Sequence, residues 1–399
     1  MNLYIQMGYG MQGLSKELCK VWSGATVILS PKNIYPSERL ATYAASMHNL
    51  NGKVLFDPQL YSPLKYHKNL QQHEYWPSSG TTDMQLGDYN ELLKALDKVN
   101  VEIGSEAFIL PSTITNSIDE RWGEQQRAII SQAREISSHE KLMLTVALGE
   151  DVLNNEHETE TIVQFAMQWD VNGVYIVCEH PKRYYFVEKP IWIANLLSLV
   201  AGLKRQGKTV IVGYASHQML PLALAKCDAI ASGSFLNTRW FQPESFETAV
   251  SEEQSRRSTW YYCPQALSEY KVTLLDIANR QNILHAIAPP PMMANDYSSI
   301  LFAGATPSST NFNEGSSFRH YLYCLKIQCE LASKPSYVET RNALFAQLET
   351  ADRIISGLRA QRISGQSRDF SEIVDTNAAA MHSFDMEYRY ALSREWDVL

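Results

Sequence analysis

The 399-residue chain has no apolar stretch near the roughly 18 residues that cross a membrane. Its first 13 residues lack a positive start followed by an apolar run, so no secretory signal is expected. Six cysteines (Cys19, Cys178, Cys227, Cys263, Cys324, Cys329) are scattered without paired spacing. That argues against a disulfide framework and fits reduced thiols in a cytoplasmic protein. No C-x2-C, HExxH or histidine pair at ligand spacing occurs, so no metal is expected. There is no GxSxG, which speaks against a serine hydrolase; Gly8-Tyr9-Gly10 after the first run reads as a turn, and no cofactor is expected. Basic residues are outnumbered, 35 against 43 acidic, for a net charge of −8. A charge-driven nucleic-acid coat protein is excluded, though a local basic cleft is not.

What is present is alternation. Eight short β-branched or aliphatic runs start at Leu3, Thr26, Val54, Ala107, Leu142, Val174, Thr209 and Ala229. Most are followed at once by Gly, Pro, Ser or Asp, as buried strands are. Helical patterns lie between most of them, including Pro36–Asn49, Ser117–Ser137, Pro190–Gln206 and Met219–Lys226. Pro190 suits a first helical turn and Gly207 a helix end. Eight strands and intervening helices in the first 245 residues predict an α/β fold of the (βα)8 TIM-barrel type. Residues 60–88 form a long connection on the face where such barrels carry their sites. Residues 246–399 read as a mainly helical C-terminal region, with helices over Thr259–Arg280, Ser316–Ser333, Tyr337–Gln361 and Ile373–Trp396.

In such a barrel, functional side chains follow the strands. Asp57, after the third run and held by Pro58, can point into the mouth as base or nucleophile, or can cap its own loop. Gln59 and Ser112 follow the third and fourth runs. Glu179 and His180 follow the sixth and can act as acid, base or hydrogen-bond pair, or lie in a solvated loop. Tyr214 and His217 follow the seventh. Gly213, Ser232 and Gly233 end the last two strands, where backbone N–H groups can bind phosphate or small residues can simply pack. Arg239 can contact a phosphate or form an exposed ion pair. With Arg256 and Arg257 it is the local patch through which nucleic acid would be met. Tyr75 and Trp76 in the long loop offer aromatic faces for a base.

Val54-Leu55-Phe56-Asp57-Pro58-Gln59, Cys178-Glu179-His180, and Cys227-Asp228-Ala229-Ile230-Ala231-Ser232-Gly233 followed by Asn237-Thr238-Arg239 resemble the tRNA-guanine transglycosylase superfamily. Ala25-Thr26-Val27-Ile28-Leu29-Ser30-Pro31 is similar to the branch tied to 7-deazaguanine DNA modification and anti-phage defence. The resemblance implies a barrel that binds guanine or a 7-deazaguanine and acts at an N-glycosidic bond. Asp57 matches the aspartate that handles the proton of the base, Glu179 an acidic residue of the base-binding region, and Arg239 a phosphate-contacting arginine. DNA, RNA or a modified protein are the implied partners, and a homodimer the implied assembly.

Two departures stand out. The family's nucleophilic aspartate falls near Ala231 or Ser232, neither a carboxylate, and Asp228 lies at the other end of that strand. Of the family's zinc site only Cys263 and His320 have counterparts. The expectation is therefore twofold: a transglycosylase-like enzyme with Asp57 as its main carboxylate, or an inactive barrel that binds a base, nucleotide or protein.

Overall fold

A computed structural model describes residues 1–63, 67–76, 89–247 and 258–399. All eight expected strands are present: β1 (Asn2–Gln6), β2 (Thr26–Leu29), β3 (Lys53–Phe56), β4 (Phe108–Leu110), β5 (Leu142–Leu148), β6 (Gly173–Cys178), β7 (Thr209–Val212) and β8 (Ala229–Ser232). They pair in parallel in the order β3-β2-β1-β8-β7-β6-β5-β4. Between β3 and β4 the Glu106 N–H reaches the Val54 carbonyl at 3.0 Å, which nearly closes the ring. The fold is a (βα)8 barrel.

Its strands read as continuous apolar runs because both faces are covered, by the barrel interior and by helices. α1 (Gln12–Val21), α2 (Ser37–His48), α3 (Asn90–Ile103), α4 (Glu120–Ile136), α5 (Glu156–Ala166) and α6 (Pro190–Arg205) form the outer layer. Asp119 caps α4 by accepting the Trp122 N–H at 2.8 Å, and Pro190 opens α6 as expected. After β7 the expected α-helix is instead a 3-10 helix, His217–Ala225, with Pro221 inside it. Proline has no N–H and crowds the preceding turn, so the segment winds more tightly.

The C-terminal region starts differently from expectation. Residues 260–271 form an antiparallel hairpin, β9 (Trp260–Cys263) with β10 (Ser268–Lys271), and only then α7 (Val272–Arg280). Pro264 breaks the helical pattern, and Leu267 turns the chain at φ 48°. α8 (Asp296–Ser299), α9 (Glu314–Ala332), α10 (Tyr337–Ala360) and α11 (Ser371–Glu395) complete the chain. α11 lies along α6, tied by Arg205 to Glu395 at 2.7 Å. Among the described residues no helix is long and apolar enough to cross a membrane.

Candidate functional site at the barrel mouth

Asp57 leaves β3 with its N–H still bonded to the Leu29 carbonyl (3.2 Å), so the strand aims its side chain inward. The carboxylate has no solvent exposure. Its Oδ1 accepts the Gln59 N–H at 3.0 Å and the Tyr61 hydroxyl at 2.8 Å. Its Oδ2 accepts the Tyr214 hydroxyl at 3.0 Å and the Tyr175 hydroxyl at 3.4 Å. Burial raises its pKa to about 6, and the three hydroxyls and one amide keep it from rising further. The tyrosines are pushed well above the usual phenol range by burial and by Asp57 itself, so they stay neutral donors.

The surrounding residues hold this arrangement. Gln59 gives its side-chain N–H groups to Ser30 Oγ (2.8 Å) and Tyr214 (2.9 Å), while its carbonyl accepts the Lys32 N–H at 3.1 Å. Gln59 and Tyr214 both have left-handed backbones, φ 55° and 50°. Such residues cost about 1 kcal/mol or more and persist where their surroundings over-determine them. Tyr175 also has Gln6 Oε1 at 3.1 Å, so one hydroxyl proton serves two acceptors. Gly213 makes room for it: a Cβ there would lie 2.3 Å from the Tyr175 hydroxyl. Gly213 therefore serves the tyrosine rather than a phosphate.

Other expected residues take different roles. Glu179 lies at the rim, 9% exposed, with Arg183 Nε 3.9 Å from its Oε1. Burial raises its pKa, helped by the carboxylates of Glu244 and Glu150. Arg183 also pairs with Glu244 at 2.6 Å, and Lys182 and Arg183 are both left-handed (φ 58° and 56°). His180 is not a rim group. Its Nδ1 donates to the Tyr184 and Tyr185 carbonyls (both 3.1 Å), it packs on Trp192 and Trp240, and burial lowers its pKa to about 4. His217 lies in the core beneath the hairpin, donates from Nε2 to the Leu267 carbonyl at 2.9 Å, and is lowered to about 4 by burial. Ser112 is buried, with its hydroxyl on the Thr113 carbonyl (3.2 Å).

The small residues after β8 serve packing. Ser232 is fully buried. A Cβ on Gly233 would lie 2.4 Å from Thr238 Oγ1 and 2.5 Å from the Gln6 carbonyl. Tyr75 and Trp76 are buried rather than open as base platforms. The Tyr75 hydroxyl bonds the Pro58 carbonyl at 3.0 Å, and its ring packs edge-on against Phe56, so it props the loop that carries Asp57. Residues 64–66 and 77–88 of the long connection lie outside the described residues, as do Arg256 and Arg257.

Arg239 departs furthest from expectation. It is 2% exposed, with Nη1 3.2 Å from Glu269 Oε1, Nε on the Gly233 carbonyl, Nη2 on the Ser234 carbonyl, and its plane 3.4 Å from the Tyr321 ring centre. Arg368 holds the other oxygen of Glu269 at 2.7 Å. This triad, with Arg239 and Glu269 buried and Arg368 at its edge, fastens the barrel to the hairpin and to the approach to α11, and it points Arg239 away from any external phosphate. His320 gives Nε2 to the Tyr262 carbonyl (2.8 Å), and Cys324 Sγ stands 3.7 Å from Nδ1. Among the described residues no three His, Cys, Asp or Glu side chains are grouped to hold a metal ion.

Sequence reasoning missed Tyr61 and Tyr175, two of the three hydroxyls on Asp57. Tyr61 lies in the long connection 60–88, and nothing in its spacing points to Asp57. The site is thus one buried carboxylate at the mouth of a (βα)8 barrel, fully hydrogen-bonded and ready to take up a proton near neutral pH. No protein-family model matches the chain, and no characterised protein matches it in sequence. Among solved structures it is similar to a mutant O-GlcNAc hydrolase of Thermobaculum terrenum, at 10% identity over 99% of this chain and 96% of that one, with a TM-score of 0.36.

Proposed function

We propose that the mouth binds guanine or a 7-deazaguanine and that the protein acts at an N-glycosidic bond, with Asp57 as the proton-handling carboxylate. The supporting observation is the state of Asp57: buried, ringed by neutral donors, its pKa raised to about 6. Such a group is mostly ionised at pH 7 yet accepts a proton readily, which suits a general base. It suits a nucleophile less, because each oxygen accepts two hydrogen bonds that would have to loosen before it could attack carbon. His180, held neutral by burial, is a poor proton carrier for that route.

In base exchange the step balances with one carboxylate. The incoming base bonds to the anomeric carbon as the bond to the departing base breaks. Asp57 takes the N–H proton of the incoming base and delivers it to the departing one. Glu179 would accept N–H groups of the base at the rim. Among the described residues, Glu150, Glu179, Glu244 and Glu247 outnumber Lys32, Lys182 and Arg183 at the rim, which favours a free base or nucleoside over a polyanion.

A second reading is favoured by one observation. Among the described residues every polar group contacting Asp57 is a neutral donor, and no second carboxylate touches it. That suits a barrel that binds a base without exchanging it, as a module in anti-phage defence. Calorimetry with 7-cyano-7-deazaguanine, beside an assay for release of guanine from guanosine, separates the readings. Binding with turnover that Asp57→Asn lowers at least ~100-fold supports the enzyme. Binding without turnover supports the module, and no binding counts against both.

A further inference from the structure

The opposite end of the barrel carries a second feature. In barrels of this type the interior layers are filled by bulky branched side chains, and the N-terminal end of the strands serves stability. Here that end carries a recess of about 600 Å³, with Leu55, Met143 and Ile211 among its apolar lining. That volume lies within the range of small-molecule sites.

The charge around the recess is one-sided. Lys53, Lys141 and Lys208 line it, with Glu106 as the one acidic lining residue. Lys53 is fixed by Glu106 at 2.9 Å, and Lys208 by the Trp169 and Val171 carbonyls at 2.7 and 2.9 Å. Burial lowers the pKa of Lys208, opposed by Asp170. The nearby acids are engaged elsewhere: Asp170 with Arg134 at 3.1 Å and Asp228 with Lys204 at 2.9 Å. Lys141 has no ion pair among the described residues. Two cations are therefore held in place around an apolar floor, and a third is left to meet a ligand.

We propose that this recess is a binding site for a small organic anion, an aromatic or branched carboxylate whose apolar body sits against Met143 and Ile211 and whose charge faces Lys141. It is separate from the mouth and independent of the function proposed there. The test uses the full chain with 13C-methyl methionine, the Met143 signal assigned through Met143→Leu. Benzoate should shift the Met143 methyl saturably, and benzyl alcohol, its neutral counterpart, should bind at least ~10-fold more weakly. Lys141→Gln should weaken benzoate roughly 5- to 10-fold and leave benzyl alcohol unchanged. Equal binding of the two probes, an unchanged benzoate affinity in Lys141→Gln, or no saturable shift would overturn the proposal.

Discussion

Gln59 and Tyr214 stand 155 positions apart in the chain, yet the Gln59 side-chain amide donates to the Tyr214 hydroxyl at 2.9 Å. Both residues are left-handed, and both also bond Asp57. Two strained backbones converging on one buried carboxylate mark the place where the fold spends stability on geometry.

Asp57 makes stability depend on pH in a defined direction. Its ordinary value is 3.8 and its folded value about 6, so the folded chain holds the proton more tightly. The stabilisation from the neutral carboxyl is full below about 3.8 and is lost as pH rises through about 6. Relative to Asp57→Asn, the wild type should lose about 2 to 3 kcal/mol between pH 4 and 7. Urea denaturation of both proteins across that range reads the difference; parallel curves would contradict it.

The buried histidines act in the opposite sense. His180, His217 and His320 fall from 6.5 to about 4 through burial. Their stabilisation is present above 6.5 and lost as pH falls toward 4. Their ring carbon-bound proton resonances should stay flat from pH 8 to 5, and the chain should lose a few kcal/mol on acidification. A ring that titrates near pH 6.5 would show that its burial is not maintained.

Gly213→Ala should displace the Tyr175 ring, because the added methyl meets its hydroxyl. A cost of about 1 to 3 kcal/mol is expected in thermal or chemical unfolding. Tyr175→Phe should cost less, about 1 kcal/mol, and raise the pKa of Asp57 by removing one donor. If the protein turns over, the acid limb of its pH–rate profile should move up in Tyr175→Phe. An unmoved limb would mean that Gln6, not Asp57, holds that hydroxyl proton.

Arg239→Met leaves the buried Glu269 with Arg368 as its one remaining cation. Breaking a buried pair this way costs about 3 to 5 kcal/mol. The melting temperature should fall steeply while any oligonucleotide affinity, and its salt dependence, stay as in the wild type. A change in salt slope with an unchanged melting temperature would restore the phosphate role.

Eight strands and Asp57 were legible because short β-branched runs ended in Gly, Pro, Ser or Asp are local signals. The partners of Asp57 were not. In a strand buried on both faces, every residue is apolar or aromatic, so Tyr175 within Val174–Val177 carries no mark of facing the interior. The hairpin over 260–271 was hidden for a related reason. Its apolar residues recur at helical spacing, and the turn rests on a left-handed Leu267, a residue type without turn preference. Arg239 read as exposed because Glu269, which buries it, lies 30 positions downstream.

The gap between β3 and β4 gives Asp57 a mechanical duty as well. Those strands share no ladder among the described residues, only the Glu106 contact and the Ser105 hydroxyl on Val54. The carboxylate at the end of β3 reaches across the interior to Tyr175 on β6 and Tyr214 beyond β7. It is a tie-rod across the ring, fastening the loose edge of one half-sheet to the middle of the other. Pulling the seam apart would strain the same hydrogen bonds that set the proton affinity of Asp57, so ring closure and the chemistry of the mouth are one mechanical unit.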